Sequence, residues 1–181
     1  MFLSIIKKYY LKKFKVGTFK EHIQQSQNNI RFLSKISTSL DDCWDWQVTV
    51  CFYSALHLIN AHVVNKFHAN YLSHSKVDEI INPYNFLSLA KLDEKIYKSY
   101  IKLFQLSRRS RYLLSENFKK GERLEVQIAS ATLSKHFKKA IYHLDIIINF
   151  IKNDYDESFE KVDIKCIDLE GLPFENFLVI K

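Results

Sequence analysis

Glycine and proline are scarce in this chain, whose 181 residues include only three glycines and two prolines. All-β sandwiches and barrels need many tight turns, and those turns depend on these two residue types. The shortage therefore argues against an all-β fold. It also argues against a glycine-rich phosphate loop, because Gly17, Gly121 and Gly171 are far apart and form neither a G-x-G-x-x-G nor a Walker pattern.

Cysteine is scarce as well, and Cys43, Cys51 and Cys166 form no C-x-x-C pair. Unpaired cysteines of this kind are typical of a reducing compartment, so we predict a cytoplasmic protein. The histidines show no H-E-x-x-H motif and no spacing typical of zinc ligands. The sequence therefore predicts neither a metal site nor a cofactor.

What the chain does contain is typical of a helical globular protein, with 47% hydrophobic and 26% charged residues. Apolar stripes at helical spacing predict an all-α, up-and-down helical bundle. We expect its main helices near residues 18–36, 41–66, 92–112 and 122–152. A short helix should begin near Ser75 and end at Asn82-Pro83, where proline disfavours a helix.

The predicted helix 41–66 contains twenty residues without a formal charge, between Asp45 and Lys66. That length could span a bilayer. However, the stretch also contains amides and histidines that are costly in hydrocarbon, namely Gln47, His57, Asn60, His62 and Asn65. We therefore favour a central helix that is buried on most sides of the bundle.

Charge divides the chain into two basic zones and one acidic zone. Residues 1–20 carry six lysines and no acid, and residues 98–123 carry eight basic and two acidic residues. Residues 154–175 carry eight acidic and two basic residues. Such an uneven distribution points to anionic partners at the basic zones.

We divide the chain into a basic amphipathic extension (1–38), a helical bundle (39–152) and an acidic tail (153–181). The tail alternates apolar and charged residues around Val162, and Phe177–Ile180 is β-prone, so we expect a small β-hairpin or an extended arm.

When residues 2–16 are drawn as a helix, the apolar side carries Phe2, Ile6, Tyr9 and Tyr10, and the basic side carries Lys8 and Lys12. Three interpretations fit this pattern: a packed first helix, an interfacial membrane helix, or a partner-binding arm. The second would place the protein at the inner face of the membrane.

Three of the five arginines fall within four positions, at Arg108, Arg109 and Arg111, and Tyr112 follows them. Arginine forks match phosphate geometry, and a neighbouring tyrosine can stack on a base. Arg108 and Arg111 are three residues apart, so we expect both to face one anion while Arg109 points elsewhere. The alternatives are a solvated helix end that complements the helix dipole and ion pairs inside the bundle.

Tyr53 and His57 are four residues apart and share one side of the predicted helix 41–66. Either they stand at the mouth of a groove, or His57 is a core histidine bonded to a neighbour. We combine them with the arginine turn into one candidate ligand site of Tyr53, His57, His74, Arg108, Arg111 and Tyr112. A second basic group, on the last helix, is either a solvated side or a further strip for phosphate contacts: Lys135, His136, Lys138, Lys139 and His143.

These residues together resemble the HEPN superfamily, compact helical bundles of bacteria and archaea. Asp45–Val63 reads DWQVTVCFYSALHLINAHV, which is similar to a central helix with aromatic-x-Ala-Leu-His. The segment Ser73–Lys76 is similar to a histidine-bearing segment of that family, and SRRSRY at Ser107–Tyr112 resembles its SR-x-x-RY-like turn. The resemblance covers about residues 40–152 and implies an up-and-down bundle.

The resemblance also implies a class of function. HEPN members are often metal-independent RNases or nucleotide-binding partners in toxin–antitoxin, abortive-infection or CRISPR-associated defence systems. The RNases carry an Arg-x(4–6)-His motif, and no arginine of this chain begins one. We therefore expect a divergent defence module that binds RNA, a nucleotide or a partner protein.

Two alternatives remain open. One is a metal-independent endoribonuclease with an atypical His/Arg site, and the other is an oligomeric membrane-associated effector anchored by residues 1–16. Aromatic residues make up 14% of the chain and are enriched at interfaces. We therefore predict a homo-oligomer, either a dimer or a multiple of dimers.

Overall fold

The computed structural model of the chain describes residues 17–67, 73–117, 125–128 and 132–180. Within these residues the main elements are the helices α1 (Phe19–Ser39), α2 (Trp44–Phe67), α3 (His74–Ile81), α4 (Glu94–Tyr112) and α5 (Ser134–Tyr155). The mainly helical fold predicted from the composition is confirmed.

The helix α2 lies at the centre of the bundle, where it packs against α1, α4 and α5. Its buried side chains occur all around the helix, which is typical of a helix enclosed by others. Among the described residues, α2 alone is long and apolar enough to cross a membrane, but 83% of its most apolar window is buried inside the protein. The helix is therefore a buried core helix, as we expected.

The outer helices are amphipathic. Helix α1 begins with a capping box. The Thr18 hydroxyl accepts a hydrogen bond from the Glu21 amide at 3.2 Å, and the Glu21 carboxylate accepts one from the Thr18 amide at 2.7 Å. The apolar stripe of α5 is fully buried through Phe137, Ile141, Leu144, Ile148 and Ile151. These stripes enclose α2 in one continuous core.

The prediction of one helix over residues 122–152 is wrong at its start. Helix α5 begins at Ser134, and a strand β2 (Glu125–Ile128) pairs antiparallel with β1 (Leu114–Asn117). The reason is visible in the sequence, because Glu125–Ile128 alternates polar and β-branched residues with the period of a strand. Leu113 ends α4 in the left-handed region, with φ of 52°. The part of the expected helix at residues 122–124 lies outside the described residues.

The acidic tail, expected as a small β-hairpin or an extended arm, forms a parallel pair, since β3 (Val162–Lys165) and β4 (Phe177–Ile180) run in the same direction. Strands that pair in parallel need a connection long enough to return to the starting end. Here the connection spans residues 166–176 and includes a 3₁₀ turn at Ile167–Leu169.

Buried polar contacts hold the tail on α5. The carboxylate of Asp145 accepts hydrogen bonds from the backbone amide of Asn176 at 3.0 Å and from its side-chain amide at 2.9 Å. The ammonium of Lys152 donates to the side-chain oxygen of Asn176 at 3.1 Å. On the other side of the tail, Glu157 pairs with Lys20 of α1 at 2.5 Å.

Candidate functional site

The C-terminal turn of α4 reaches the exposed side of α2 through Arg111. Its Nη1 donates to the Tyr53 hydroxyl at 3.3 Å, across 58 residues of sequence. Its Nε donates to the backbone oxygen of Ser107 at 3.3 Å, and its Nη2 donates to the Ser107 hydroxyl at 3.1 Å. These three bonds orient the guanidinium at the junction of α2 and α4.

Aromatic rings surround the same guanidinium. The Cζ atom of Arg111 lies 5.0 Å from the ring centre of Tyr112, 5.7 Å from that of Tyr53 and 5.8 Å from that of Phe52. A cation within about 6 Å of a ring face is attracted by the ring quadrupole. The charge of Arg111 is therefore stabilised by rings and neutral dipoles, and none of the ion pairs among the described residues includes it.

His74 packs against two aromatic rings of this site. Its ring packs 5.3 Å from Phe52 and 5.3 Å from Phe104. Burial, followed by the nearby charge of Arg111, lowers the pKa of His74 below its ordinary value. His74 is therefore neutral near pH 7, and it can donate one hydrogen bond and accept another.

Arg108 lies one turn before Arg111 on α4, with its Cζ 5.9 Å from the ring centre of Phe104. Phe104 and Phe52 are themselves in contact, with ring centres 5.6 Å apart. Arg108 and Arg111 thus lie over neighbouring rings, whereas the charge of Arg109 acts on His136 of α5. We refer to this group as the arginine–aromatic cluster: Phe52, Tyr53, His74, Phe104, Arg108, Arg111 and Tyr112.

His57 is placed apart from the cluster, against α1. Its Nδ1 lies 3.0 Å from the Nδ1 of His22, a distance at which one ring nitrogen donates a hydrogen bond to the other. Burial and the neighbouring His22 lower the pKa of His57. The two imidazoles border a cavity of about 430 Å³ whose lining includes the polar side chains of Gln24, Gln25 and Asn28 on α1.

No protein-family model, curated protein or solved structure matches this chain.

The other histidine of α2, His62, is a core residue. It is only 4% exposed, with Nδ1 lying 2.6 Å from the Tyr155 hydroxyl and Nε2 3.1 Å from the carbonyl oxygen of Ala90. The carbonyl can only accept, so Nε2 donates to it and Nδ1 accepts from the tyrosine. Burial is the main reason why the pKa of His62 is lowered. The described residues contain no group of three or more side chains suited to hold a metal ion.

An apolar loop lies between α3 and α4. The amides of Tyr84 and Leu87 donate to the side chains of Asn82 and Asn85, at 2.9 and 3.0 Å, which fixes two turns. The loop presents Phe86, 91% exposed, as the most exposed large apolar side chain among the described residues.

The residues proposed for membrane or partner contact lie outside the described part of the chain. They are Phe2, Ile6, Lys8, Tyr9, Tyr10 and Lys12.

Four residues of these sites were not predicted from the sequence: Phe52, Phe104, Ser107 and His22. For Ser107 and Phe104 a signal exists, because each lies four residues before an arginine of the turn and therefore shares its side of the helix. The contact of His22 with His57 joins two different helices, and no local spacing predicts it.

Proposed function

We propose that the chain is a ligand-binding helical module whose arginine–aromatic cluster takes up the phosphate and base of a nucleotide or of a single-stranded RNA segment. The observation that carries this proposal is the environment of Arg111. Its guanidinium is oriented by Ser107 and Tyr53, enclosed by rings, and without a carboxylate among the ion pairs of the described residues.

The orientation of Arg111 leaves donors for a ligand. Three of its N–H groups bond within the protein, and a guanidinium has five. The others can donate to a phosphate oxygen, while the exposed ring of Tyr112 offers a face on which a base can stack. A side chain held in place before binding also loses less rotamer entropy on binding.

The cluster is better suited to binding than to cleavage. Cleavage of RNA by acid–base chemistry requires positioned groups that both remove and supply protons. Among the described residues the cluster contains one histidine, His74, because His57 is paired with His22. We therefore propose a binding module. An atypical RNase site at this cluster would lack a second histidine.

The proposal extends the resemblance to HEPN bundles, which is the source of the expectation of an RNA or nucleotide ligand. A buried central helix with amphipathic helices around it supports an architecture of that kind. Membership of the superfamily and a role in prokaryotic defence remain predictions.

The test is the Arg111→Gln variant, with binding of a fluorescein-labelled RNA oligomer and a fluorescent ATP analogue followed by anisotropy. A charge-assisted hydrogen bond contributes about 1.5–3 kcal/mol, so we expect affinity to fall by roughly 10–100-fold. The slope of log K against log salt should flatten by about 0.7 for RNA. Equal affinity of the variant and the wild type would overturn the proposal.

Arg31→Gln is the matched control, because Arg31 is an exposed arginine on α1 that pairs with Glu160. It should leave both affinities unchanged. Tyr112→Leu separates stacking from charge: it should weaken binding by about 1–3 kcal/mol with the salt slope unchanged. Thermal melts of every variant show whether a loss of affinity reflects a loss of fold.

A further inference from the structure

A basic face runs along the junction of α4 and α5, on a different side of α4 from the arginine–aromatic cluster. Lys95, Lys98, Lys102 and Arg109 share this side of α4, since they follow one another at three, four and seven residues. On α5, Lys135 and Lys139 are four residues apart, and His136 and His143 are seven apart. We call these eight residues the α4–α5 basic face.

The two helices that form this face, α4 and α5, are in direct contact. The Nδ1 of His143 lies 3.2 Å from the Ser99 hydroxyl, and the charges of Lys102 and Arg109 both act on His136. The beginning of α5 therefore lies beside the end of α4. With a rise of 1.5 Å per residue, the stretch from Lys95 to Arg109 is about 21 Å long.

One end of the basic face opens into a cavity of about 480 Å³. Its lining includes Lys95, Lys98, Ser99, Tyr142 and His143. The ring of Tyr142 is 54% exposed and stands edge-on to the ring of His143. The cavity thus combines ammonium groups with an exposed aromatic ring, the pairing that single-stranded nucleic acids use.

Three lysines of this face form no ion pair among the described residues. Glu94 at its end pairs with Lys98, and its other contact is with Tyr84. No ion pair among the described residues includes Lys102, Lys135 or Lys139, and all three side chains are exposed. Like charges held this close repel one another, and an anion between them relieves that repulsion.

The pKa values of His136 and His143 are lowered by burial and by these cations. Burial first, and then Arg109, Lys135, Lys139 and Lys102, lower the pKa of His136 to about 4. Burial, Lys102 and Lys139 lower the pKa of His143 to about 4 as well. Cations from both helices therefore act on the same two imidazoles.

The tautomer of His136 is fixed by its backbone contact. Its Nδ1 accepts a hydrogen bond from the Leu133 amide at 2.9 Å. In the neutral ring the proton must then be on Nε2, which makes Nε2 a donor. His136 can thus donate to an anion on this face without carrying a charge.

We propose that the α4–α5 basic face is a second binding site, which takes consecutive phosphates of a single-stranded phosphodiester chain. Its length exceeds that of one phosphate group and suits a chain of several, and its charge is complementary to that chain. The site does not depend on the arginine–aromatic cluster, so either can fail while the other stands.

The test compares two triple variants with the same net charge. Lys102→Gln, Lys135→Gln and Lys139→Gln remove three cations of the face, while Lys35→Gln, Lys66→Gln and Lys161→Gln remove three exposed lysines elsewhere. Anisotropy of a fluorescein-labelled oligouridine RNA is measured over a range of salt concentrations. Each lost phosphate contact should flatten the salt slope by about 0.7, or about two for the face variant, and its affinity should fall at least about tenfold.

Three outcomes would overturn this inference. The face variant could keep the wild-type slope, or the control could lose as much as the face variant, which would mean that net charge alone decides binding. Unlabelled poly-glutamate could displace the labelled RNA as well as unlabelled RNA does, which would mean that the ligand class is wrong. The Arg111→Gln variant distinguishes a failure of this second site from a failure of the arginine–aromatic cluster, because its α4–α5 basic face is intact.

Discussion

Replacing Asp145 by alanine should release the C-terminal strand from the bundle. This carboxylate is only 9% exposed and accepts two short hydrogen bonds from Asn176, at 3.0 and 2.9 Å, and a longer one of 3.4 Å from the Glu175 amide. A hydrogen bond to a charged group contributes about 1.5–3 kcal/mol. The two short bonds therefore support an expected loss of about 3–5 kcal/mol in the free energy of unfolding.

The structure also limits that loss. The Asn176 side chain donates to Asn149 at 2.7 Å as well, so its amide keeps a partner in the variant. The backbone amides of Asn176 and Glu175 are the groups that lose their hydrogen bonds to Asp145. Asp145→Asn, which keeps an acceptor of the same shape, should lose about half as much.

Urea denaturation measures the change, and hydrogen exchange locates it. We expect a lower urea midpoint and faster exchange of the amides at residues 174–180. Asn153→Ala, at an exposed position on the same helix, is the control and should stay within about 0.5 kcal/mol of the wild type. A loss below about 1 kcal/mol for Asp145→Ala would refute this account of how the tail is held.

Three further predictions concern packing, pH and assembly. Phe137→Ala removes a fully buried ring and should cost about 3–5 kcal/mol in urea unfolding. His136 and His143 have pKa values of about 4 when folded, against an ordinary 6.5, so their contribution to stability is complete above pH 6.5 and lost as the pH falls towards 4. Urea midpoints should fall over that range, and less in a variant with His136→Gln and His143→Gln. Sedimentation should give a mass that is a multiple of two 21.5 kDa chains. A monomer at micromolar concentration would contradict the inference of a homo-oligomer from the aromatic content.

The helices could be predicted because each depends on local periodicity. The stripe of α5, from Phe137 to Ile151, repeats at helical spacing whatever it packs against. The pair of β1 and β2 was missed because Val126 and Ile128 can be read either as part of a helical stripe or as one side of a strand. Only the alternation with Glu125 and Gln127 distinguishes the two, and four residues are a short sample of it.

Contacts between distant segments were beyond the sequence. The spacing of Arg108 and Arg111 indicated a shared edge of α4, but nothing local indicated that Tyr53 would meet Arg111. The parallel pairing of β3 and β4 likewise depends on how the connection folds back onto α5, where Asn176 finds Asp145. His57 was assigned to the candidate site because it shares one side of α2 with Tyr53, and the packing of α1 on α2 places it with His22 instead.

The position of the acidic tail has an electrical consequence for encounters in solution. Two of its carboxylates lie against α1, where Glu157 and Glu160 pair with Lys20 and Arg31. The uncompensated lysines lie at the junction of α4 and the first half of α5. Separated charge of this kind gives the molecule a dipole moment, and its field turns an approaching polyanion before contact. Added salt should therefore slow association more strongly than it speeds dissociation, because screening acts mainly on that long-range orientation.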